Sequence, residues 1–143
     1  MRALVDHWQF WAVLSAVFAA MTAILAKVGV DAIDSNLATF IRTLVVVAAL
    51  TGIVAATGQF AAIPAINSRT WLFLTLSGLA TGASWLCYFR ALKLGDASRV
   101  APIDKLSVVM VAIFAAMLLG EKLSGLNWLG VALIGAGAIL VAI

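Results

Sequence analysis

Reactive side chains are scarce in this chain: 143 residues contain one cysteine, Cys87, and one histidine, His7. A single cysteine excludes an intramolecular disulfide and a cysteine-based metal cluster. A lone histidine lacks the several nitrogen, oxygen or sulfur ligands that a metal site requires, so His7 is read as an interfacial side chain beside Trp8. The sequence offers no Ser/His/Asp set, no metal-ligand cluster and no phosphate-binding loop. Enzymatic chemistry therefore has no residues to carry it, and no cofactor is expected. Charge is also sparse. Charged residues make up 10% of the chain, against roughly 25% in a soluble domain. The net charge of +3 then belongs to membrane topology rather than to nucleic-acid binding.

What the chain does have is apolar length. Hydrophobic residues make up 65% of it, gathered into five runs over residues 8–30, 35–57, 70–92, 98–119 and 126–143. A bilayer core of roughly 30 Å is crossed by about 20 apolar residues in a helix. Backbone donors and acceptors in lipid must be satisfied internally, and these runs show no strand alternation, so the spans are helical rather than a barrel. The expectation is an all-α polytopic membrane protein with five transmembrane helices in antiparallel hairpins, forming a single transmembrane domain over residues 1–143. The first run is too long for a signal-peptide core and is followed by no convincing small-residue cleavage site, so it is expected to be retained as a span.

The run boundaries carry matching chemistry. Asp34 or Ser35, Asn67 or Ser68, and Asp96 or Ser98 are placed to cap the second, third and fourth runs, and Gly95 suits the end of the third. The stretch from Gly58 to Arg69, with Pro64, reads as an extended or interfacial loop; the other links are tight turns. Trp8, Trp11, Trp71 and Trp128 open the first, third and fifth runs, where indoles prefer an interface. Near the run ends Arg2, Arg69 and Lys122 fall on one side and Lys27, Arg90, Lys93 and Arg99 on the other. So small a bias places the C-terminus in the cytoplasm only marginally and also permits insertion in both orientations.

The charged residues Lys27, Arg42, Arg90, Asp104 and Lys105 fall within the runs. Lys27 and Arg90 are near ends and can reach the interface by snorkelling. Lys27 also continues the small-residue stripe Ala16, Ala20 and Ala23, which favours close helix contact. Asp104 lies about 9 Å inside the fourth run at 1.5 Å per residue, too deep for a short carboxylate to escape. Neighbouring helical residues point about 100° apart, so a bond to Arg42 on the second run is expected in preference to simple neutralisation by Lys105. Two roles stand for that pair: an ion pair holding two helices together, or a solute or proton site. Ser77, Thr81, Ser84 and Tyr88 share one face of the third run. They line a passage or serve as packing glue, alongside the close-packing motif Gly78-x-x-x-Gly82. Trp85 and Tyr88 offer aromatic faces at depth, which grip cations or planar solutes or fill a core. In the last run Gly130, Gly135 and Gly137 form a contact surface for the fourth run or for a second copy.

Read together in order, Ala26-Lys27-Val28-Gly29, Phe40-Ile41-Arg42, the stretch from Tyr88 to Ser98, Leu119-Gly120-Glu121-Lys122-Leu123 and the glycine-rich end from Leu129 resemble an EamA repeat of the drug/metabolite transporter superfamily, in its single-repeat, five-helix bacterial form. The resemblance spans essentially the whole chain. It implies a secondary transporter or exporter of small metabolites or drugs in the bacterial cytoplasmic (inner) membrane. A single repeat would be completed by a second, antiparallel copy or by a related partner, as a homodimer or heterodimer. The first run has no Asp or Glu, unlike related small multidrug exporters whose acid lies there, so Asp104 is the deep carboxylate left for any coupling. Glu121 is expected to cap or fix its turn. The candidate solute-binding residues are Asp104, Lys105, Arg42, Ser84, Trp85 and Tyr88. The partners expected are the lipid bilayer and a small solute that is polar, anionic or zwitterionic. A non-transporting membrane subunit or scaffold is the alternative.

Overall fold

A computed structural model describes residues 7–143, which are helical apart from short links and contain no strand. Helix α1 covers Trp8–Asp31, α2 Ser35–Ala56, and a 3₁₀ segment Gln59–Ala65; α3 covers Ser68–Leu94, α4 Ala97–Asp104 and α5 Leu106–Phe114. A π turn over Ala115–Leu119 follows, and α6 covers Gly125–Ala142. Among the described residues five stretches are long and apolar enough to cross a membrane: α1, α2, α3, the combined span 97–119, and α6. Their bounds fall within two residues of those read from the sequence. Large apolar side chains are left bare, among them Met117, Leu118 and Leu126, each more than 75% exposed. Apolar surface on this scale is what a membrane or partner interface presents.

The chain divides into two compact units. One is the segment 28–93, containing the end of α1, α2, the 3₁₀ segment and α3 up to Lys93. Asp34 caps α2: its Oδ1 accepts from the Asn36 and Leu37 backbone N–H groups at 2.8 and 3.3 Å. Asn67 does the same for α3, accepting from the Thr70 N–H at 2.8 Å. Val30, Ser35, Ala38, Thr39, Phe89 and Leu92 are buried. The Lys93 ammonium donates to the Val30 carbonyl at 3.3 Å and to the Ile33 carbonyl at shorter range, so a cation at the end of α3 closes the carbonyl end of α1. The link after Gly58 is not extended as the sequence reading allowed. Gly58 takes a left-handed φ of 68° and starts the 3₁₀ segment that contains Pro64.

The other unit comprises, among the described residues, 7–27 and 94–143, and in it α4 and α5 both pack on α6. The fourth span is not one helix. Pro102 lies inside α4 and has no N–H to donate one turn back, to Ser98. Two residues beyond Ile103, the Lys105 N–H is shared between the Ala101 and Pro102 carbonyls at 3.3 and 3.0 Å, and the helix restarts at Leu106. The span ends in the π turn, closed by Gly120 at a left-handed φ of 69°, while the Glu121 N–H donates to the Ala115 carbonyl at 3.2 Å. Gly95 does not enter the left-handed region, because Asp96 resumes extended backbone and starts α4 at once. In α6 a Cβ at Gly135 would stand 3.3 Å from Val109 Cγ2, whereas Gly130 and Gly137 face open space.

Candidate functional site

Within the unit 28–93, α2 and α3 bring together the charged and aromatic residues singled out from the sequence. Arg42 lies seven residues after Ser35, about 10 Å along the helix axis. Its guanidinium carbon stands 4.0 Å from the centroid of the Trp85 ring and 5.6 Å from that of Phe89. Trp85 and Phe89 are one helical turn apart and so share a face of α3. The geometry is a cation on π faces, worth about 0.5–1 kcal/mol when exposed and about 2 or more when desolvated. That contact holds Arg42 at depth. A free arginine would instead extend its head toward the interface.

Tyr88 is half-buried and Ser84 exposed, and Tyr88 is near enough to Arg42 for an electrostatic interaction. The hydroxyl face of α3 is partly committed: Thr81 Oγ1 donates to the Ser77 carbonyl at 2.9 Å, inside its own helix. Gly78 and Gly82 face open space.

The acid expected to meet Arg42 has a different partner. Asp104 Oδ2 lies 3.2 Å from Lys105 Nζ, with the two side chains 37% and 54% exposed. Adjacent residues pair here because the helix breaks at Lys105, whose ψ of −6° departs from the helical value near −42°. The 100° separation assumed for a continuous helix therefore does not apply. The same break was legible in Pro102. Phe89, the second ring facing Arg42, had a signal in its four-residue spacing from Trp85. Lys93 had none beyond its place at a helix end.

Among the described residues no group of three or more His, Cys, Asp or Glu is placed to hold a metal ion. Arg42 and the Asp104–Lys105 pair are polar groups in spans that are otherwise apolar, where ionisable side chains mark solute and ion paths or interhelical bonds.

Comparison with known proteins agrees with this architecture. The chain is 68% identical over 138 residues to a Sinorhizobium sp. protein named "Uncharacterized transporter in cobO 3'region", an alignment covering 96% of this chain and 98% of that protein. No solved structure matches. Residues 7–143 match the EamA-like transporter family, so a multi-pass helical membrane protein, with polar groups set inside its spans, belongs to that family of transporters.

Proposed function

We propose that the chain is a secondary transporter or exporter of small metabolites or drugs. It acts in the bacterial cytoplasmic membrane as an antiparallel dimer with a second copy or a related partner. The observation carrying this reading is Arg42, a cation held on Trp85 and Phe89 in a membrane span. A charge at the centre of a span costs about 2.5–3.5 kcal/mol. A cation–π contact of about 2 kcal/mol offsets part of that cost, leaving a reason for the charge to be there. The residues proposed for solute contact are Arg42, Trp85, Tyr88, Ser84, Asp104 and Lys105.

Solute counterflow in proteoliposomes containing the purified chain tests the reading. Flux above empty vesicles is expected, and absence of flux across amino acids, organic anions and organic cations would refute it. Reporters fused after Ile143 should signal on both sides of the membrane for an antiparallel homodimer. A one-sided signal would require a partner protein of opposite orientation.

A scaffold is the second reading, favoured by the local pairing of Asp104 with Lys105 and by the internal bond of Thr81. Under it Asp104→Asn lowers stability in a chain that moves nothing. Under the transport reading the same substitution abolishes pH-driven uptake in a folded protein.

A further inference from the structure

Stacking satisfies only the flat face of a guanidinium. Its five N–H donors lie in the plane and point outward along the edge, in a fork that matches a carboxylate. Among the described residues no carboxylate lies within ion-pair distance of Arg42, and no oxygen accepts a hydrogen bond from it. No buried side-chain nitrogen or oxygen among them lacks a partner. The Arg42 nitrogens, which have none, therefore retain some surface outside the protein interior. In the same unit Asp34 is occupied in capping α2.

We propose, resting on the transport reading above, that Arg42 docks the carboxylate of a small organic solute. Charge decides the class. An organic cation would meet a like charge, and the Trp85 face that could have gripped it already holds Arg42 at 4.0 Å. A carboxylate of charge −1 neutralises the single guanidinium and forms two parallel N–H···O bonds. A phosphate monoester carries about −1.5 to −2 at neutral pH and would leave excess negative charge in a low-dielectric span. Trp85 and Phe89 hold the guanidinium beside their rings, and Tyr88 and Ser84 stand on the same helix to contact the rest of the solute.

The test uses the full chain with Trp8, Trp11, Trp71 and Trp128 replaced by Phe, so that Trp85 alone reports. Its fluorescence is titrated in nanodiscs with benzoate, gluconate, inorganic phosphate, choline and benzylammonium. A saturable change is expected with benzoate or gluconate and not with the cations. Arg42→Lys keeps the charge but loses the fork, and should weaken carboxylate binding about tenfold; Arg42→Gln should abolish it. Carboxylate affinity within twofold of wild type in Arg42→Lys and Arg42→Gln, or saturable binding of the cations or of phosphate alone, overturns the proposal. Counterflow of gluconate and of choline separates this inference from the reading beneath it. Choline flux without gluconate flux keeps the transporter and rejects the carboxylate site. Arg42-dependent carboxylate binding without any flux keeps the site and rejects transport.

Discussion

Lys93→Met removes the ammonium that joins the end of α3 to the end of α1 while keeping an apolar stem of similar length. Two hydrogen bonds from a charged donor are lost, to the carbonyls of Val30 and Ile33. A hydrogen bond to a charged group contributes about 1.5–3 kcal/mol, and a buried carbonyl left unsatisfied costs about 1–3 kcal/mol. The lost attraction of a cation for a helix carbonyl end adds about 0.3–1 kcal/mol. These do not simply add, because both carbonyls lie at a turn where water replaces part of the lost bonding. A net loss of about 2–3 kcal/mol is expected, and at about 2–4 °C per kcal/mol for a chain of this size the midpoint should fall by about 5–10 °C. Thermal unfolding in one detergent, monitored by light scattering and intrinsic fluorescence, reads this directly. Lys93→Arg retains a donor and should recover at least half of the loss. A midpoint for Lys93→Met within about 1 °C of wild type would show that the two bonds contribute nothing, and the reasoning would be refuted.

Asp104→Asn leaves the Lys105 ammonium without its carboxylate in a membrane span and should destabilise by up to about 2.5–3.5 kcal/mol. The double variant with Lys105→Gln should regain most of that, and a thermal double-mutant cycle without coupling would refute the pair. Gly135→Leu drives a side chain into Val109 and should destabilise the monomer by about 1–3 kcal/mol. Gly137→Leu, facing open space, should leave monomer stability unchanged, as checked by parallel melts; equal losses would contradict the packing described. Pro102→Ala restores a backbone donor, so amide exchange at Lys105 and Leu106 should slow. Unchanged exchange would assign the break to packing instead of to the missing N–H.

The spans were legible because apolar length against the bilayer is a strong constraint, and the caps at Asp34 and Asn67 were legible because short polar side chains before an apolar run have few other uses. The partner of Asp104 was not. Its prediction assumed one unbroken helix from Ser98 to Leu119, and a proline six residues into α4 undoes the angular relation on which that choice rested. Trp85 was identified as an aromatic face at depth, but which cation it holds depends on the approach of α2, which no local pattern encodes. Phe89 read as one more apolar residue in an apolar run. The 3₁₀ segment was missed because glycine and proline mark a departure from helix without specifying what replaces it.

Thr39, Thr43 and Thr81, and Thr57 at the end of α2, each donate their hydroxyl to a carbonyl four residues earlier. A segment that satisfies its own polar groups can leave the insertion machinery and enter lipid before its neighbours have been synthesised. Early intermediates of assembly are thereby spared the cost of naked hydroxyls in hydrocarbon, and the order in which the spans emerge need not match the order in which they pack.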